Sequence, residues 1–309
     1  MNLMDLETDY SKTGFLAVDK LVFSGRLNYI FSEKLIKIEK IPFGNVNRNY
    51  RIIAQRKKYF CKISPLWYEN SLRREAWALR NITKKGGIVP AVISYFDKNN
   101  NIIPQHEILI LEYISGKNFF FHNNKVKFYK NIFNSYNIIH SIKMCGFGWL
   151  DSHFIGRNKK WIDFLMKLEN IDTCRELIIS HDVDINYVFS ELSKFQFKLD
   201  ESRLLYGDYN YYNFIITNDE KLYSLDLQNC FAGDPAYDIG IIIAKDNISK
   251  KHLKYLDNFS EDKMRLIYLY ALRHLLSILS FYIINVNQRK IGFAIKRFLE
   301  LERKYKKLL

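Results

Sequence analysis

Apolar residues along the 309-residue chain change their spacing several times, and each change marks an element. Residues 37–53, KIEKIPFGNVNRNYRII, read as strand, turn, strand, with Gly44 and Asn45 at the bend. In residues 59–63 the alternation puts Tyr59, Cys61 and Ile63 on one face of a strand and Phe60 and Lys62 on the other. From Asn70 to about Asn81 the spacing becomes helical, with Leu72, Ala76 and Leu79 in one stripe. Glu75 falls beside that stripe, so a carboxylate borders a packing face and calls for a cationic partner. Residues 108–113, ILILEY, form a continuous apolar strand; residues 119–201 read as helical, with 131–142 a core helix. Two short strand-like runs, 214–217 and 222–225, flank the polar cluster Asn218-Asp219-Glu220-Lys221, which predicts a hairpin. Beyond Gly240 the pattern is helical, strongly apolar over 264–286 and 294–309.

The length predicts two lobes, and an apolar share of 48% is enough for a sizeable core. A formal charge of +14 raises a nucleic-acid or anionic-membrane reading, but the basic excess is spread evenly and no basic arm stands out. The charge therefore reads as compositional, with no specific nucleic-acid partner. Cys61, Cys145, Cys174 and Cys230 lie far apart without a C-x-x-C pair, and the seven histidines are scattered, which argues against disulfides and a zinc site. The first residues, MNLMDLETDYSKTG, lack the apolar run of a secretory signal. The apolar stretch 275–286 is shorter than a membrane span and reads as a buried helix. The expectation is a soluble cytoplasmic protein without a membrane partner; the oligomeric state is not legible.

The chemistry concentrates in residues 204–240. Asp208 and Asn213 precede the first strand of the hairpin and Asp226 follows the second, so the fold would bring the three side chains to one end of it. Two carboxylates and an amide oxygen suit a hard cation such as Mg²⁺. Gly207-Asp208 followed by Asn213, then Asp226 followed by Gly233-Asp234-Pro235 and Asp238, resembles the signature of the aminoglycoside phosphotransferase and choline kinase-like family. The resemblance covers about residues 37–285. It implies that Asp208 is the catalytic base acting on an acceptor hydroxyl and that Asn213 and Asp226 hold Mg²⁺. Asp234 and Asp238 would fix a loop and cap a helix starting near Ile239. Tyr206 stands where the family usually has His, as an aromatic packing residue.

By the same resemblance Lys62 contacts the nucleotide phosphates and Glu75 positions it. Gly44, Asn47 and Tyr50 fit the family's phosphate-covering hairpin, and the backbone of Glu112 to Ile114 would bind the adenine of ATP, with GTP possible. The implied fold is α+β, a two-lobed protein kinase-like fold, with a small antiparallel-sheet lobe (1–114) for nucleotide and a larger helical lobe (115–309) for catalysis and acceptor. The implied activity is an O-phosphotransferase that moves a γ-phosphate to a small hydroxylated molecule, first of all an aminoglycoside-type antibiotic. Asp151, Asp163, Asp182 and Asp184 could offer carboxylates to such a cation. A metabolic kinase acting on choline, a sugar or an amino alcohol is the alternative, as is a non-enzymatic nucleotide-binding or coat-type member. Without an A-P-E-type segment after Asp226, a protein kinase is disfavoured.

Overall fold

The computed structural model describes residues 15–42, 46–68, 70–123, 126–167, 175, 178–180, 183–195, 201–245 and 260–309. The chain divides into two compact units, one of Met1–His122 with Tyr212–Asn229, the other of Asn123–Tyr211 with Cys230–Leu309.

In the first unit a helix, α1 (Phe15–Phe23), precedes five antiparallel strands: β1 (Leu35–Ile41), β2 (Arg48–Ala54), β3 (Lys58–Ile63), β4 (Val92–Phe96) and β5 (Ile108–Glu112). Their order is β1-β2-β3-β5-β4. The register aligns Tyr50 with Cys61 and Cys61 with Ile110, and Asn49 with Lys62 and Phe60 with Leu111. Pleating then sorts the two sets onto opposite faces. The first set is buried with Val18 and Val22 of α1; the second faces a cavity described below.

Helix α2 (Ser71–Lys84) runs a few residues beyond the expected end and buries Leu72, Ala76, Leu79 and Ile82. Burying Leu72, Leu79 and Ile82, at about 1.5–3 kcal/mol each, outweighs the roughly half a kcal/mol that weak helix formers such as Asn81 and Thr83 each cost. The predicted hairpin is present as β11 (Phe214–Ile216) and β12 (Leu222–Ser224), and β11 also pairs with β6 (Lys117–Asn118). That pairing is why the hairpin joins the first unit although it follows residue 115.

The second unit departs from the uniformly helical reading of 119–201. Helix α3 (Val126–His140) starts and ends earlier than 131–142, and short strands follow: β7 (Lys143–Met144), β8 (Phe147–Leu150) and β9 (Gly156–Asn158). Gly148 explains the change. Its φ of +81° is left-handed, and a Cβ there would meet the Phe164 ring at 2.6 Å. With β10 (Ser202–Leu205) and β13 (Phe231–Gly233) these strands make a sheet in the order β7-β10-β13-β8-β9.

Around the sheet lie α4 (Trp161–Leu165), α5 (Ile185–Lys194), α6 (Ala236–Lys245), α7 (Glu261–Ile284) and α8 (Gln288–Lys306). Helix α6 starts at Ala236, earlier than Ile239, because Asp234 Oδ1 accepts from the Ala236 N–H at 2.9 Å. Trp161 donates to the Tyr270 hydroxyl at 2.7 Å, which donates to Asp234 Oδ2 at 3.0 Å. Helix α7 overturns the short-stretch reading: its 24 residues are long and apolar enough to cross a membrane, yet 61% of its most apolar window is buried inside the protein. Its main neighbours are α6 and α8, the packing of a core helix.

Candidate active site

Strand β3 and helix α2 supply the centre of the first unit's site. Lys62 points off the β3 face opposite Cys61 and Ile63, and its Nζ lies 2.8 Å from both Glu75 carboxylate oxygens and 2.9 Å from Asp226 Oδ1. The Glu75 side chain is 0% exposed, Lys62 7% and Asp226 31%, so the network is sealed at one end and open at the other. Burial opposes the charge on Lys62, but the Asp226 and Glu75 carboxylates outweigh it and hold the ammonium's pKa above its usual range. Burial raises the Glu75 carboxyl, opposed by Lys62 and by a backbone hydrogen bond from Leu227.

The hairpin presents its two polar residues side by side. The Leu225 N–H donates to the Asn213 carbonyl at 2.8 Å, closing the open end of β11 and β12. At Asp226 the chain turns through a left-handed φ of +57°, which Asp tolerates better than most residues. Asn213, Asp226, Lys62, Glu75, Asn49 and Ile114 line one cavity of about 350 Å³, whose apolar walls include Ile41, Leu79, Leu111 and Ile215.

The other expected nucleotide contacts fall differently. Gly44 lies outside the described residues. Asn47 is turned to the protein: its Nδ2 donates to Gln228 Oε1 at 2.7 Å, while its buried Oδ1 has no partner. Glu112 is exposed at the cavity rim; its N–H donates to the Ala91 carbonyl at 2.9 Å and its carboxylate accepts from the Ala91 N–H at 3.3 Å.

Asp208 belongs to the second unit. Its Oδ1 accepts from Lys245 Nζ at 2.9 Å, and both side chains are about a quarter exposed, 26% and 28%. The preceding turn hangs on Asp238, whose carboxylate accepts from the Tyr206 N–H at 2.7 Å and the Gly207 N–H at 2.9 Å. His140 Nε2 lies 2.8 Å from the same carboxylate. The Tyr206 ring is fully buried, 5.6 Å from Tyr136. Of the carboxylates expected to face a cationic acceptor, Asp151 accepts from the His153 and Ile155 N–H groups and Asp184 caps α5 through the Tyr187 N–H. Asp163 lies in the first turn of α4 and Asp182 outside the described residues.

The sequence model of the phosphotransferase enzyme family matches residues 37–262. The chain belongs to this family. A Staphylococcus aureus relative, an uncharacterized protein in the ileS 3′ region, is 31% identical over 111 residues, covering 36% of this chain and 80% of that protein. Among solved structures, the phosphotransferase resembles aminoglycoside phosphotransferase APH(4)-Ia with a TM-score of 0.74 at 13% identity, over 92% of this chain and 98% of that one. It resembles a candidate fructosamine-3-kinase of Haemophilus somnus 129PT with a TM-score of 0.65 at 19% identity, over 90% and 95% of the two chains. For the spectinomycin phosphotransferase APH(9)-Ia the TM-score is 0.57 at 15% identity, over 87% and 90%. At these identities the likeness is one of fold, and that fold is protein kinase-like.

Three site features of this phosphotransferase were not read from the sequence. Lys245 ends a helix, where a cation is ordinary. Its spacing from Asp238, two helical turns, is the signal that both reach the loop holding Asp208. His140 sits far upstream of its Asp238 partner. The Gln228–Asn47 bond joins two polar residues in segments with no shared period.

Proposed function

We propose that the protein is a nucleotide-dependent O-phosphotransferase that moves the γ-phosphoryl group of ATP, or GTP, to a hydroxyl of a small molecule. The observation that carries this reading is the buried Lys62–Glu75–Asp226 network opening into the cavity shared with Asn213. Its apolar walls suit a purine, and its polar end offers the Lys62 ammonium to phosphates and the Asp226 carboxylate to their cation. At the rim, the Glu112 and Tyr113 N–H groups are already engaged with Ala91 and Lys58. The Ile114 N–H is therefore the donor assigned to the base. Asn47 acts by bracing the phosphate-covering hairpin against Gln228.

Among the described residues no three His, Cys, Asp or Glu gather as a metal cage. Mg²⁺ needs none, because it takes one or two protein oxygens and completes its shell with phosphate and water. Asn213 and Asp226 would hold it, and when bound it would offset the phosphate charge. Asp208 orients the acceptor hydroxyl and accepts its proton; the hydroxyl oxygen bonds to the γ-phosphorus, and the bond to the β-phosphate oxygen breaks with its electron pair leaving on the diphosphate. Residues 1–114, joined by the hairpin that carries Asn213 and Asp226, act as the nucleotide lobe, and the rest of 115–309 as the catalytic and acceptor lobe. A cytoplasmic location with no membrane or specific nucleic-acid partner completes the reading.

Two acceptor classes compete. An aminoglycoside-type antibiotic is supported by the complex of an APH(4)-Ia variant with ADP and hygromycin B. A metabolic hydroxy compound is favoured by the Lys245 ammonium on Asp208, and we adopt it. The test of the chemistry separates the carboxylates. Asp208→Asn is expected to lower turnover by about 10²- to 10⁴-fold and to keep the Mg²⁺-dependent thermal shift with a non-hydrolysable nucleotide. Asp226→Asn is expected to weaken that shift. Reversed outcomes exchange the two roles, and no change in either variant removes the hairpin from the active site.

A further inference from the structure

Helix α6 grips the loop carrying Asp208 at two places. Asp238 in its first turn takes the Tyr206 and Gly207 N–H groups, and Lys245 at its end takes the Asp208 carboxylate. The last turn of α6 is itself anchored: Arg297 of α8 donates to the Ile243 carbonyl at 2.6 Å and the Ala244 carbonyl at 3.3 Å. Lys245 is therefore carried on a braced helix end, while remaining open enough for a ligand that reaches Asp208 to reach it as well. Any compound that brings a hydroxyl to Asp208 meets an ammonium group beside it, which repels a cationic neighbour of that hydroxyl and attracts an anionic one. Among the described residues, Asp151, Asp184, Asp234 and Asp238 each accept from backbone N–H groups, which leaves less of these carboxylates to a polycation.

Resting on the reading of Asp208 as base, we propose that the acceptor carries an anionic group, a carboxylate or phosphate, next to the hydroxyl that is phosphorylated, and that Lys245 binds it. As the acceptor enters, its anion takes over the ammonium and its hydroxyl takes over the Asp208 carboxylate, so no charge is left without a partner. Lys245 is thus a specificity-determining residue.

The experiment follows ADP formation by the full chain with Mg²⁺ and ATP across hydroxycarboxylates such as glycerate, phosphorylated polyols such as glycerol phosphate, neutral polyols, choline, kanamycin and hygromycin B. Stimulation is expected among the anionic compounds alone, and which of the two anionic arms responds tells carboxylate from phosphate. Lys245→Met is expected to raise the KM for that acceptor about 10- to 100-fold, the range of a charge-assisted hydrogen bond, with the KM for ATP within about twofold of the parent. Lys245→Arg is expected to restore most of the loss. For a neutral amide or ester of the same acceptor, parent and Lys245→Met are expected to share one KM. Stimulation by choline or either antibiotic, stimulation by neutral polyols only, the lack of any anionic hit, or an unchanged acceptor KM in Lys245→Met each overturns the inference. A nucleotide-dependent thermal shift in the parent shows that the phosphotransferase reading survives such a result. Absence of both that shift and ADP formation overturns the phosphotransferase reading and this inference together.

Discussion

The Lys62–Glu75 pair was legible through the family resemblance; the periodicities alone set Lys62 opposite the Cys61 face and left Glu75 beside an apolar stripe, in need of a cation they did not name. In the structure Glu75 is sealed from solvent, and its main counter-charge is Lys62. Lys62→Met is therefore expected to cost stability as well as turnover, by about 3–5 kcal/mol, the usual penalty for leaving a buried ion without its partner. The double variant Lys62→Met with Glu75→Leu should regain most of the lost melting temperature and none of the activity. A double variant as unstable as the single one would show that the loss lies in packing rather than charge. Lys245 was harder to read: only its two-turn spacing from Asp238 sets it apart from a lysine that merely closes a helix. Asp151 and Asp184 show the same limit, since in both the need of nearby backbone N–H groups decides where the carboxylate goes.

At the scale of elements, the sheet and the hairpin were readable because alternation over a few residues suffices for strands, whereas helix ends and the β7–β9 strands depend on tertiary contacts. Helix α6 gives the element-scale prediction. Gly240 lies where α6 crosses α7, and a Cβ there would meet Tyr270 Cβ at 2.8 Å and the Ala271 nitrogen at 3.0 Å. In an open helix Gly→Ala gains roughly 0.5–1 kcal/mol, but overpacking a close helix crossing costs about 1–3 kcal/mol, and the contacts here are to backbone and near-backbone atoms that move only with the helix. Gly240→Ala should therefore lower the melting temperature. Because α6 also bears Asp238 and Lys245, it should lower turnover more than it weakens nucleotide binding. A raised melting temperature would mean that the two helices part without cost.

At the scale of the whole molecule, two imidazoles among the described residues, one in each unit, make stability depend on pH. Burial lowers the pKa of His106 and of His274 below the ordinary 6.5, with Lys98 adding to it for the first and Lys245 and Arg273 for the second. Unfolded chains take up a proton on each as pH falls through about 6.5, before the folded imidazoles do, so stability is full above that value and declines below it. For His274, whose pKa falls furthest, the slope approaches roughly 1.4 kcal/mol per pH unit. Denaturant melts between pH 7.5 and 5 should display this decline, and His274→Gln should flatten it; a flat parent profile would contradict the burial of both groups. The charge network around Lys62 has a consequence for inhibitor chemistry. Protein carboxylates alone hold that lysine between sheet and helix, so a compound that enters by prising α2 away must separate opposite charges in a dry site. Compounds that dock with Lys62 left in its place avoid that penalty, and selective inhibitors of this enzyme are to be sought among them.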